Sequence, residues 1–264
     1  MTQNPSAIFV PHGAPTFALR PGAAGAALTA IAKSLPLPRA IAIVSAHWDT
    51  VVPTVGFAER PETIHDFWGF PDELYDIRYP ATGCREASEE VFAALKGAGM
   101  PAIQDVSRGL DHGAWVPLRL MFPDADVPVI PLSIQSRGGP EQAYKLGQAL
   151  APLAAKGFLV IASGNLTHNL RDYQIAARSG GQTPAYVRQF TDWLAARIAA
   201  RDIPALLDYR QQAPGGAQAH PTDEHLLPLY VALGASGPNT RANRFHAGID
   251  DYVIAMDAYS FLPQ

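Results

Sequence analysis

Four short apolar runs recur along the chain: Ala7-Ile8-Phe9-Val10, Ala40-Ile41-Ala42-Ile43-Val44, Val127-Pro128-Val129-Ile130-Pro131-Leu132 and Phe158-Leu159-Val160-Ile161-Ala162. None alternates strictly between apolar and polar, which is the pattern of a strand buried on both faces, as in a parallel sheet. Between and after these runs, apolar residues fall at helical spacing and predict helices over roughly 86–97, 141–156, 184–200 and 221–233. The first reads Glu86-Ala-Ser-Glu-Glu-Val-Phe-Ala-Ala-Leu-Lys96, with Gly97 as its stop. The last is expected to start at Pro221, because proline suits the first helical position. Strands alternating with helices predict an α/β fold with a mainly parallel central sheet covered by helices. Proline and glycine are scattered as turn markers and no repeat or low-complexity tract interrupts the pattern, so residues 1–264 are expected to form one domain. The stretch Gln211 to Gln218 reads as a loop ahead of a motif.

Composition narrows the function classes. With 48% hydrophobic residues the chain can build a sizeable core. A formal charge of −4, without a Lys/Arg cluster, argues against nucleic acid or an anionic membrane as partner. The lone Cys84 cannot form an internal disulfide and fits a reducing compartment. Met1-Thr2-Gln3-Asn4-Pro5 is not expected to begin a signal peptide, and no apolar run reaches the roughly 18 residues of a membrane span. A cytoplasmic protein is the expectation.

The histidines carry the chemistry. His12 follows the first strand by two residues, His47 lies just past the second, and His168 follows the strand that ends near Ala162. Parallel strands place their carboxyl ends along one sheet edge, where open α/β folds bind ligands, so topology alone brings these three histidines to one rim. His220 precedes Pro221, and His225 follows five residues later. Five residues turn a helix by roughly 140°, so the two are not expected to reach one ion together. His220 is therefore preferred as the ligand and His225 as a substrate-side or supporting residue. Neutral imidazole suits zinc, iron, copper and nickel, and three protein ligands leave coordination positions open for catalysis. On a ferrous ion, a catecholate can take two of them and dioxygen another; zinc, without redox chemistry, would bind a catechol and not oxidise it.

The motifs that hold these histidines are recognisable together. They are Phe9-Val-Pro-His12-Gly13, Ser45-Ala-His47-Trp48, Ile64-His-Asp-Phe-Trp-Gly-Phe-Pro71, Leu110-Asp111-His112-Gly113-Ala-Trp115, Ser163-Gly-Asn165-Leu-Thr-His168-Asn169, His220-Pro-Thr-Asp-Glu-His225 and Met256-Asp257-Ala258-Tyr259-Ser-Phe261. In order and spacing, nearly end to end, the chain resembles the class III extradiol dioxygenases, in the branch that contains the DOPA dioxygenases. The resemblance implies ring opening of a small catechol with O2 at a mononuclear site, with His12, His47 and His220 as metal ligands. Relatives that cleave protocatechuate use a glutamate where His220 would stand. The resemblance further implies His168 as acid/base, His112 beside substrate or oxygen, and Asn165 and Asp111 as residues that orient the imidazoles. His65 belongs to an aromatic segment that either walls the pocket or packs a long connection. Fe(II) is expected to support activity, and Zn(II) can occupy such a site in purified protein. Two other readings share these residues: a zinc-dependent hydrolase, which lacks a recognisable glutamate base here, and a non-enzymatic binding protein on the same fold.

Overall fold

A computed structural model describes residues 5–264; Met1 to Asn4, part of the segment read as lacking a signal, lie outside the described residues. Ten strands appear in chain order: β1 Ala7–Pro11, β2 Ala40–Asp49, β3 Thr54–Gly56, β4 Ile103–Asp105, β5 Val129–Ile134, β6 Phe158–Gly164, β7 Thr240–His246, β8 Ile249–Asp250, β9 Ile254–Ala255 and β10 Ala258–Pro263. Eight of them form one sheet in the order β4-β3-β5-β2-β6-β1-β10-β7, while β8 and β9 pair separately. The centre, β5-β2-β6-β1, is parallel. Its four strands are the four apolar runs, and buried positions dominate each of them, as both-sided burial requires.

Helices cover this centre. The helix Leu227–Ala235 is buried along its whole length, packs on Gly139–Leu150 and lies against β6, β1 and β2. A second pair, Gly22–Ser34 and His112–Met121, packs together, and the latter helix rests on β2 and β6. The α/β architecture with a helix-covered, mainly parallel sheet is as expected. At the flanks, β10 and β7 run antiparallel to their neighbours, as does β3 to β5. The polar, half-exposed β7 carries too little apolar periodicity to be read as a strand. Among the described residues, no helix is long and apolar enough to cross a membrane.

Two expectations about the segment after residue 200 are corrected. The Gln211 to Gln218 stretch is mostly two single helical turns, Tyr209–Gln212 and Gly216–Ala219, with Gly215 at φ +69° ahead of the second. The helix expected from Pro221 starts only at Leu227, with Pro228 in its first turn. Residues 221–223 are bends and 224–226 a turn instead; the Asp223 side chain accepts from Tyr209 Oη at 2.7 Å and Arg210 Nε at 2.9 Å, and its carbonyl accepts from the Leu226 and Leu227 N–H groups that lead into the helix.

Candidate metal centre and active site

Three carboxyl strand ends converge. Pro11, the last residue of β1, pairs with Gly164, the last of β6, and His12 is the next residue. β2 pairs with β6 as far as Ser45 opposite Ser163, and His47 lies two residues further, on the same face as Ser45. His47 Nε2 is 3.2 Å from His12 Nε2 and 3.3 Å from His225 Nε2. The other ring nitrogens are engaged elsewhere. His12 Nδ1 lies 3.0 Å from Ser163 Oγ, His47 Nδ1 3.3 Å from Asp66 and His225 Nδ1 3.0 Å from Glu224. A carboxylate only accepts, so Nδ1 of His47 and of His225 carries the hydrogen and each Nε2 keeps a lone pair. The Ser163 hydroxyl allows His12 the same tautomer.

Burial, before any neighbouring charge, keeps these rings neutral. His12 and His225 are pushed well below the ordinary histidine value, and His47 falls to about 4. Neighbouring histidines add to the depression in each case. His47 Nε2 lies this close to Nε2 of both His12 and His225, and lone pairs so placed repel each other unless a cation lies between them. The 3.2 and 3.3 Å spacings fit nitrogens that share one ion at roughly 2.0–2.1 Å. An oxygen acceptor behind each ring is the arrangement that orients metal-binding imidazoles. The donor set therefore fits a divalent metal that accepts imidazole nitrogen.

The expected assignment of His220 does not match this geometry. Its Nε2 donates to the Leu166 carbonyl at 2.9 Å, and its ring sits edge-on between Phe190 and Tyr209. His225 occupies the place expected for it. A helix through residues 221–226 would turn His225 away from His220, but bends and a turn stand in its place. His225 thus moves from the expected supporting position to the centre.

The remaining candidates surround this centre. The ring nitrogens of His12, His47 and His112 all come within 4.8 Å of one another, so His112 borders the same space. The His168, Glu224 and His225 donor atoms form a second such group, joined to the first through His225. His47 Nε2 reaches the Nε2 atoms of both His12 and His225, which favours His225 as the third nitrogen, while His112 Nδ1 and its backbone N–H both donate to Asp66 Oδ1 at 2.9 Å. His168 stacks on His225, and burial lowers it to about 4, which leaves it neutral near pH 7. Asn165 accepts from the Gly13 N–H at 3.1 Å, and its Nδ2 lies 3.4 Å from His12 Nε2. Asp111 caps the helix His112–Met121 by accepting from the Ala114 N–H, and also accepts from Ser45 Oγ at 2.6 Å and Arg108 at 2.7 Å. It therefore anchors the helix that carries His112 and touches none of the site imidazoles by hydrogen bond. His65 lies 3.1 Å from the Ile77 carbonyl through Nε2 and packs edge-on against Phe67 and Trp115, so it builds the wall.

Asp66 is the residue that sequence reasoning missed. Burial opposes its ionisation, but the His112 ring and backbone N–H bonds and the nearby His47 outweigh burial and hold its carboxyl at about 2. One carboxylate thus ties His47 to His112. Its signal lies inside Ile64-His65-Asp66-Phe67, a motif in which the histidine is the more obvious candidate. Two glycines permit the close packing. A Cβ on Gly113 would lie 2.3 Å from Ser45 Oγ and 2.9 Å from His47 Cδ2, and one on Gly164 would lie 2.2 Å from the His225 carbonyl. A cavity of about 570 Å³ opens beside Gly13 and Met256, with Arg20 and Tyr252 in its wall, and no histidine lines it.

Comparison with known proteins agrees with this chemistry. Residues 23–253 match the family described as the catalytic LigB subunit of aromatic ring-opening dioxygenase. A 4,5-DOPA dioxygenase extradiol of Beta vulgaris is 41% identical over 85% of this chain and 83% of its own length. A protein of the same description from Escherichia coli K12 is 37% identical over 87% and 84%. The crystal structure of an uncharacterized Escherichia coli K12 protein superposes with a TM-score of 0.79 at 30% identity, covering 96% of this chain and 98% of that one.

Proposed function

Because this chain belongs to the family of catalytic LigB-type subunits of aromatic ring-opening dioxygenases, and so is an enzyme, we propose that it cleaves a small catechol with O2 at the extradiol bond, using one Fe(II) held by His12, His47 and His225. The observation that carries this reading is the convergence of those three Nε2 atoms at 3.2 and 3.3 Å beside His168. Fe(II), when bound, gives electrons a path between the catechol ring and dioxygen, which otherwise react slowly because their spin states differ. Both oxygen atoms enter the product, a semialdehyde carboxylic acid, so no external reductant is needed. Zn(II) would fill the same donor set without supporting the reaction.

The chain's own groups manage protons and position. His168 is neutral and next to the ligand ring, so it accepts a proton from a catechol hydroxyl and returns one as the ring opens. Because it is stacked on His225, it cannot swing away with that proton. His112, fixed through Nδ1 by Asp66, presents its other nitrogen to substrate or oxygen. Asp66 also orients His47, so substrate-side and metal-side imidazoles share one support. Asn165 holds the His12 turn through Gly13. Phe67 lies edge-on to His112, and with Trp115 and His65 it packs an apolar aromatic cluster behind the site. The names of the relatives make DOPA the first catechol to try.

The test is direct. Protein stripped of metal is reloaded with Fe(II) without air and mixed with a catechol panel that includes DOPA. Oxygen is then admitted while its uptake and the near-visible absorbance are followed. Equimolar uptake with a new yellow chromophore is expected. No uptake from any catechol, in protein shown to hold Fe(II), would reject the reading.

A further inference from the structure

His220 is completely buried, and the roles above leave it unused. Its setting is specific. The segment 165–169, which carries Asn165 and His168, runs beside the segment 218–225, which ends on His225. Asn165 N–H donates to the His225 carbonyl at 2.9 Å, His168 N–H to the Ala219 carbonyl at 2.9 Å, and Asn169 Nδ2 to the Gln218 carbonyl at 2.7 Å. The His220 ring supplies the one remaining rung between them, Nε2–H to the Leu166 carbonyl at 2.9 Å. The ring's own backbone is held from behind, since Arg210 donates to the His220 carbonyl at 2.8 Å while it also binds Asp223.

The tautomer follows from the partner. A carbonyl only accepts, so Nε2 bears the hydrogen, and Nδ1 is left as a buried nitrogen without a hydrogen-bond partner. An unpartnered buried acceptor is costly. A leucine or phenylalanine would fill the slot between Phe190 and Tyr209 without an unpaired ring nitrogen, but would leave the Leu166 carbonyl without this donor. What the imidazole adds is a donor that reaches Leu166, between the residue proposed to bind metal and the residue proposed to move protons.

We propose that His220 is a positioning residue: its Nε2–H locks the Asn165–His168 turn against the His220–His225 turn, and so sets His168 at its distance from His225. This rests on the function proposed above, although the lock itself can be tested without turnover. A misplacement of the base by about an ångström is enough to cost on the order of 100-fold in rate.

Two variants separate the donor from the bulk. His220→Gln keeps an N–H at the Nε2 position, whereas His220→Leu keeps volume and loses the donor. In the Fe(II)-loaded enzyme, kcat with the best catechol is expected to fall about 10-fold to 100-fold in His220→Leu, with little change in KM, and to recover largely in His220→Gln. Hydrogen exchange supplies a readout apart from activity. The amides of 165–169 should exchange at least several-fold faster in His220→Leu than in the parent or in His220→Gln, while those of 7–11 stay unchanged, and Co(II) binding to all three should keep the parent stoichiometry. The proposal is overturned if His220→Leu matches the parent in kcat and exchange, or if His220→Gln behaves no better than His220→Leu. Should His220→Leu fail to fold, His220→Asn replaces it, because its amide reaches only the Nδ1 position. If the parent itself consumes no oxygen, the dioxygenase reading fails, and the exchange data still decide the role of His220.

Discussion

The ring of His168 lies flat on the ring of His225, with centroids 3.5 Å apart and planes 9° from parallel. His225 in turn is pinned from behind by Glu224 and faces His47. In the proposed function, proton transfer and metal binding fall to these two neighbouring, stacked rings.

Removing the outer ring should spare the inner one. His168→Ala is expected to retain parent metal content, by elemental analysis, and to lose kcat by about 100-fold to 10,000-fold in oxygen uptake. Metal loss in this variant would mean that the stack holds His225, and the division of roles would fail.

Removing the inner ring should do the opposite. His225→Ala is expected to drop well below stoichiometric metal after gel filtration. Asp66→Asn, which leaves all three proposed ligands and weakens the support of His47, should reduce metal affinity by about 10-fold to 100-fold in competition with a chromophoric chelator. A His225→Ala protein that binds metal as the parent does would reassign the third ligand, with His112 the next candidate.

Gly113 tests how tightly the helix His112–Met121 approaches β2. In Gly113→Ala the new methyl meets Ser45 Oγ and His47 Cδ2 below normal contact distance. The expected cost is roughly 1–3 kcal/mol in urea unfolding, together with weakened metal binding, because the clash bears on His47 itself. Unchanged stability and affinity would show that the helix retreats freely.

His220 contributes to the pH dependence of stability beside the other buried histidines, His12, His47, His168 and His225. Burial lowers His220 from 6.5 to about 4, partly opposed by its bond to Leu166. Between those values the unfolded chain binds a proton there and the folded chain does not. The stability contributed is thus present above pH 6.5 and is lost as pH falls toward 4, on the order of 3 kcal/mol in all. Urea midpoints of metal-free parent and His220→Gln, measured from pH 7 to pH 4, should therefore shift by different amounts, with the parent falling more. Parallel declines would place the acid sensitivity elsewhere.

The four apolar runs were enough to find the central strands, because a strand covered on both faces must be apolar throughout. That in turn was enough to put His12, His47 and His168 on one rim, since parallel strands share the edge at which they end. The flanking strands were not legible: β7 is half-exposed and polar, and β3 and β4 have three residues each, too few to show a period. Asp66 was hidden for a related reason. It lies in a long connection, and a loop residue has no periodicity to say where its side chain points.

The choice between His220 and His225 marks the boundary between sequence and structure. Chain order and residue type determined that a histidine from this motif would join His12 and His47. Local pattern also suggested a helix after Pro221, and that helix would have turned His225 away. Only the tertiary structure decided otherwise: residues 221–226 are bends and a turn, in which Tyr209 and Arg210, from a separate helical turn, grip the Asp223 side chain. Strand burial is written into the residues of the strand itself, whereas the path of a turn depends on the side chains that grip it from elsewhere in the fold.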